Sequence, residues 1–127
     1  MKRLFLLMFF MAFVSVNAYS QSDDSDEIYN IVEEMPEFPG GTSNMKEYIQ
    51  DNLQYPAEAK ELDVHGRVFV KFVIERDGTI SNVKVLRGIG SGCDEEAIRL
   101  ITSMPKWKPG KQRGKEVRTY FTYPITF

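Results

Sequence analysis

The chain has 127 residues, 43% of them hydrophobic, a formal net charge of −2 and a single cysteine, Cys93. That length holds one domain with a core able to fold by packing alone, and a lone cysteine excludes an internal disulfide. One His beside one Cys leaves no metal-ligand spacing.

The N-terminus reads as a secretory signal peptide over residues 1–20. Lys2 and Arg3 precede an apolar run at residues 4–14, and Val16-Asn17-Ala18 and Ala18-Tyr19-Ser20 both offer small residues for cleavage. A spanning helix needs about 20 apolar residues, so cleavage is the expectation and an uncleaved membrane anchor the alternative. Removing Lys2 and Arg3 from the 16 basic residues leaves 14 against 18 acidic ones, a net of −4. Residues 21–34 are acidic and polar, and most of them are expected to be disordered. Within them Ile28, Tyr29, Ile31 and Val32 form a candidate docking segment. The basic residues gather late, at Lys106, Lys108, Lys111, Arg113, Lys115 and Arg118. The two charged regions are either solvated or drawn to each other or to an acidic partner. An exported chain that is not basic elsewhere gives no support to nucleic-acid binding.

"MPEFPGG" (35–41) is a stiff arm ending in a turn, because proline fixes φ and glycine permits positive φ. Residues 45–53 read as a helix: Met45, Tyr48, Ile49 and Leu53 share a face, and Asn44 with Glu47 suggests a capping box. Tyr55-Pro56 breaks it and starts a second short helix that runs to His65-Gly66. Residues 67–75 alternate as a strand with Val68, Val70, Phe72 and Ile74 facing inward. Asp77-Gly78 is a hairpin signal. A two-residue turn there sets Val70 opposite Val85, Lys71 opposite Lys84 and Phe69 opposite Leu86. A helix follows the Gly88–Gly92 loop and ends before Pro105, with Asp94, Glu95 and Glu96 suiting its N-terminal dipole. "KWKPGKQRGK" reads as a connection, and residues 117–127 as a last strand with Pro124 marking an edge or a strand end. The expected fold is α+β: a three-stranded antiparallel sheet with two or three helices on one face. An antiparallel third strand belongs beside the first, in the spatial order 2-1-3.

No catalytic constellation emerges. Cys93 falls on the apolar stripe of its helix and reads as a small core residue. His65 sits at a turn. "GIGSGC" (88–93) lacks the lysine of a phosphate loop. The pattern implies neither an enzyme, a cofactor nor a small-molecule substrate.

From about residue 35 to 127 the chain resembles the TonB C-terminal domain family, in the exported single-domain form common in Bacteroidetes. The resemblance rests on "PEFPGG" (36–41), "YPAEAKE" (55–61), "HGRVFVKFVIERDGTISNVKVLRG" (65–88), "DEEAIRLITSMPKWKPGKQRGKEV" (94–117) and "YPITF" (123–127). It implies a periplasmic module that binds the TonB box of outer-membrane receptors by strand addition, in energy-coupled transport. It also implies two contact regions: Leu53, Gln54 and Tyr55 before the Tyr-Pro motif, and Val117, Arg118, Thr119, Tyr120, Phe121, Thr122 and Tyr123 in the last strand. A freestanding exported adaptor, or an envelope-associated binding domain without energy transduction, is the alternative reading. The question of a homodimer stays open.

Overall fold

The structure is a computed structural model that describes residues 26–127. The expected signal peptide lies outside the described residues. In chain order the elements are β1 (Ile28–Tyr29), α1 (Thr42–Asn52), α2 (Ala57–Glu61), β2 (Arg67–Ile74), β3 (Ile80–Arg87), α3 (Cys93–Thr102), β4 (Gly110–Gln112) and β5 (Lys115–Thr126). The sheet order is β1-β5-β2-β3, with β4 also pairing onto β5. The expected trio is therefore present as β3-β2-β5, antiparallel throughout and with the first strand in the middle.

Alternation in β2 explains the core. Val68, Val70, Phe72 and Ile74 are buried on the helix side, where they meet Ala97, Leu100 and Ile101 of α3 and Met45 of α1. Cys93 is fully buried in this cluster, as its place on the α3 stripe predicts. Trp107 closes one end. Its ring stands edge-on to Phe38 at 5.8 Å, Phe72 at 5.7 Å and Phe121 at 5.0 Å. Such aromatic contacts add to simple burial. Val73 is also fully buried but lies outside the helix-side cluster.

Four local expectations need correction. The capping box does not form. Gly40 and Gly41 take φ of 84° and 90°, so the helix starts at Thr42 and Asn44 falls inside it. Asn44 Nδ2 instead donates to the Pro39 carbonyl at 3.3 Å. The β2–β3 connection has three residues rather than two: Glu75 N–H donates to Thr79 O at 2.8 Å across Arg76-Asp77-Gly78. That shifts the register by one, and an irregularity between Lys71 and Val73 shifts it back. Asn82 supplies the extra residue, with φ of 50°. Lys71 still faces Lys84 and Val70 still faces Val85, whereas Phe69 faces Arg87 rather than Leu86. Lys71 swings its ammonium over the Tyr120 ring, 4.1 Å from the centroid.

The third correction concerns "KWKPGKQRGK". It is not a plain connection but a hairpin: β4 pairs with the first residues of β5 across Arg113-Gly114, whose φ values of 54° and 77° suit a two-residue turn. The fourth concerns the acidic residues of 26–34: the docking segment expected there does form at Ile28, Tyr29 and Val32, and the residues around it are ordered with it. β1 pairs in parallel with β5, Val32 is buried, and Glu34 and Glu37 bridge to Lys111 and Lys108. The acidic arm does run along the basic segment, but it is held there by backbone bonds. Glu34 N–H donates to Lys111 O and Glu37 N–H to Lys108 O, each at 3.0 Å. Residues 21–25 lie outside the described residues.

Candidate functional site

β5 is the longest strand, with 12 residues, and its pairings are uneven along its length. One side meets β2 over eight consecutive pairs, from Thr119–Ile74 to Thr126–Arg67. The hydrogen-bond parity follows from the end of that ladder. Gly66 and Phe127 exchange both bonds, at 3.1 and 2.8 Å, so Phe127 points its polar groups at β2. Alternation then turns Ile125, Tyr123, Phe121 and Thr119 toward β2. It turns Arg118, Tyr120, Thr122, Pro124 and Thr126 outward. Pro124, which has no N–H to give, stands at an outward position where the β2 ladder loses nothing.

The outer edge is partly taken by the chain itself. Val117 pairs with Gly110 of β4, and Arg118 and Thr119 pair with Ile28 and Tyr29 of β1. Thr119 has strand neighbours on both sides, Tyr29 and Ile74. Among the described residues no strand covers the outer edge from 121 to 126. The seven β5 residues expected to bind are therefore divided. Val117, Arg118 and Thr119 lie where the chain pairs with itself. Tyr120 turns its outward N–H to the end of β1 at Tyr29, and Phe121, Thr122 and Tyr123 lie on open edge.

Two grooves flank that open edge and share Tyr123. One, of about 230 Å³, lies between the arm and β5, walled by Met35, Phe38, Met45, Trp107 and Phe121. The other, of about 310 Å³, lies between α1 and the end of β5 and is lined by Lys46, Ile49, Gln50, Leu53 and Pro124. Leu53 thus shares a groove with Tyr123. Gln54 and Tyr55 do not: they line a separate groove of about 560 Å³ against Glu95, Glu96 and Arg99 of α3. The Tyr55 hydroxyl donates to the Val64 carbonyl, and its ring stands edge-on to Phe127 at 5.7 Å. Burial, helped by Cys93 and Asp63, raises its pKa. The sequence reading missed Lys46 and Gln50. Their spacing of four places them on one helix face, but nothing in the pattern shows that this face borders β5.

Two ion pairs hold the frame of the site. Glu96 is buried at the α3 surface, and Arg99 grips it with both arms, Nε to Oε1 at 2.8 Å and Nη2 to Oε2 at 2.7 Å. Arg99 Nη2 also donates to the Asn52 carbonyl at 2.8 Å, while Glu96 Oε2 accepts from the Gln54 N–H at 2.7 Å. Both bonds fix the exit of α1 on either side of Leu53. Burial opposes the Glu96 charge, but Arg99 and the Gln54 N–H outweigh it and hold the carboxyl below its usual pKa. Arg118 Nε donates to Glu75 Oε1 at 2.7 Å and Nη2 to Oε2 at 3.1 Å, and these bonds lower the Glu75 pKa. Arg118 Nη1 reaches the Asp26 carbonyl at 3.2 Å.

The profile described as Gram-negative bacterial TonB protein C-terminal matches residues 51–127, more than half of the chain. The chain belongs to the TonB C-terminal family. A curated relative, the protein TonB of Escherichia coli K12, is 34% identical over 58 residues, which are 46% of this chain and 24% of that protein. The chain thus spans about a quarter of the length of that relative. Two solution structures of the Helicobacter pylori TonB C-terminal domain share the fold, each with a TM-score of 0.51. The one of residues 194–285 is 23% identical, covering 67% of this chain and 89% of that one. The one of residues 179–285 is 20% identical, covering 89% and 95%.

Seen as a TonB C-terminal fold, the thiol and imidazole singled out by sequence have structural surroundings. The Cys93 thiol is pushed up in pKa by burial and then by Asp94 and Glu95, away from nucleophilic thiolate character. His65 Nε2 lies 2.8 Å from Asp63 Oδ1 and Nδ1 lies 3.0 Å from the Tyr55 oxygen. Among the described residues no cluster could hold a metal ion, and no helix is long and apolar enough to cross a membrane.

Proposed function

We propose that this chain is an exported, non-enzymatic peptide-binding module that takes up the box segment of a TonB-dependent outer-membrane receptor in the periplasm, as a strand added to the edge of β5. Energy-coupled transport is the process this reading places it in. One observation carries it: among the described residues no strand lies beside the outer edge of β5 from 121 to 126, and the grooves on either side of Tyr123 lie along it. Added strands take affinity from main-chain hydrogen bonds and specificity from pockets for alternate side chains. Here Thr122 and Thr126 offer outward N–H groups. The groove walls of Phe121, Trp107 and Met45 on one hand, and of Ile49 and Leu53 on the other, suit apolar side chains. Lys46 at the second groove suits an acidic one.

The test is titration of the mature protein with a synthetic receptor-box peptide, beside a scrambled peptide of the same composition, read by calorimetry and by amide NMR shifts. Saturable binding of the box peptide with shifts confined to the amides of 118–126, and none with the scrambled peptide, is the expected result. Shifts clustered instead in the groove between Gln54 and Arg99 would move the site to α3. N-terminal sequencing of protein from the periplasmic fraction checks the expected removal of residues 1–20.

A further inference from the structure

The contacts of residues 26–38 fall into two classes. From Val32 onward the arm is anchored. Val32 is buried, and a Cβ built on Gly110 would meet its Cγ2 at 3.1 Å. Glu33 Oε1 accepts from the Arg113 N–H at 2.8 Å, the Glu33 N–H donates to Gln112 Oε1 at 2.9 Å, and Glu34 and Glu37 add their backbone bridges. Upstream the hold is slight: β1 has two residues, half-buried, joined to β5 at Arg118 and Thr119, plus the one bond from Arg118 Nη1 to the Asp26 carbonyl. Asn30 and Ile31, a bend with Ile31 82% exposed, separate the two classes.

We propose that β1 is a built-in occupant of the β5 edge, which an incoming strand must displace from Arg118 and Thr119. This rests on the reading that the β5 edge is the binding surface, and it adds regulation of that surface by the chain itself. The geometry makes displacement local. A bend at Asn30 and Ile31 can release β1 while Val32 and the two arm bridges keep the rest of the arm in place. The competition is for the same outward edge, since β1 pairs at Arg118 and Thr119 and a strand that uses five or more β5 residues from Tyr123 back toward Val117 overlaps it. Arg118 does not lose its main partner on release, because its bidentate contact with Glu75 is independent of β1. The edge is thereby screened from unrelated extended chains, a hazard of any long unpaired strand.

The perturbation is Tyr29→Pro in the otherwise intact mature chain, which removes a donor from β1 and leaves the arm untouched. Amide hydrogen exchange at residues 118–120 reads the release directly. A fluorescent receptor-box peptide reads its consequence, and a synthetic peptide of residues 24–31 of this chain serves as competitor in trans. We expect faster exchange at 118–120 with the rest of the sheet unchanged. Box-peptide affinity should rise on the order of tenfold, the net worth of one or two ladder hydrogen bonds no longer in competition. The 24–31 peptide should displace the box peptide from the variant. If parent and variant bind the box peptide equally, the inference is wrong and the binding reading survives. If neither binds it while the 24–31 peptide still binds the variant, the edge accepts strands but the receptor reading is wrong. If neither peptide binds, both fall.

Discussion

Paired proline substitutions test the parity assigned to β5. Thr122 is exposed and its N–H points away from β2, so Thr122→Pro removes no bond of the β2–β5 ladder. Pro124, two residues on and of the same parity, shows that the strand accommodates the ring there. The expected cost is below about 1.5 kcal/mol, from fixing φ in a strand. Tyr123 stands opposite fully buried Val70 with its N–H turned inward. Tyr123→Pro deletes a ladder bond and strands a buried carbonyl on Val70, for roughly 3–5 kcal/mol in all. For a domain of this size each kcal/mol moves Tm by about 4–8 °C. The first variant should therefore melt no more than about 12 °C below the parent and the second at least about 12 °C below it. Tyr123→Ala separates loss of the ring from loss of the bond. Calorimetric melts measure the stability, and titration with the box peptide should show at least a tenfold loss for Thr122→Pro despite its intact fold. A Thr122→Pro protein that melts as low as Tyr123→Pro would overturn the parity. One that melts high and binds like the parent would overturn strand addition at this edge.

Three further outcomes follow from particular contacts. Gly78 has φ of 89° and a Cβ there would sit 2.1 Å from the Trp107 carbonyl, so Gly78→Ala should lower stability by about 2–4 kcal/mol, read as a lower denaturant midpoint. The native Cys93 thiol should react with iodoacetamide no faster than the protein unfolds, and Cys93→Asp should cost about 3 kcal/mol or more; rapid labelling of folded protein would contradict its burial. Glu96 and Glu75 both have folded pKa values below those of the unfolded chain, so their contribution is present above about pH 4.3 and is lost as pH falls through the folded values. Acid melts of Glu96→Gln should show a shallower loss of stability below that pH than the parent, and an identical slope would mean that the Arg99 pair contributes nothing.

The central trio was legible because one face of β2 is buried and a one-residue slip would expose all of Val68, Val70, Phe72 and Ile74. The hairpin register survived a wrong turn length for a specific reason. A three-residue loop and one extra residue at Asn82 are equal and opposite errors, and alternation constrains only their sum. The β4–β5 hairpin was hidden because Lys108, Lys111, Arg113 and Lys115 suggest solvent. Their backbone, not their side chains, makes the pairing. The same applies to the arm, whose acidic composition suggests disorder while its peptide groups bridge Lys108 and Lys111. Leu53 and Tyr123 were singled out by resemblance. Lys46 and Gln50 were not, since facing a strand 70 or more residues away leaves no local signature.

The sheet has two flanks, and their backbones explain why the added strand is assigned to β5 rather than β3. β3 is irregular: its register against β2 shifts twice within eight residues, and Asn82 leaves the extended region at φ of 50°. Such bulges twist a strand away from a straight template, and the exposed Lys84 and Arg87 add charge to the same flank. These are the devices by which an edge avoids unwanted pairing. β5 carries neither. Its eight pairs with β2 run without a shift, so its outward groups from 122 to 126 keep a regular spacing. The sole interruption is Pro124, which withholds one donor but keeps its carbonyl. A strand laid against β5 would therefore meet regularly spaced acceptors throughout and donors on either side of Pro124, with the α1 groove beneath. On β3 it would lose register within a few residues. The difference is one of backbone geometry, so lysine or arginine substitutions along β3 should leave peptide affinity unchanged.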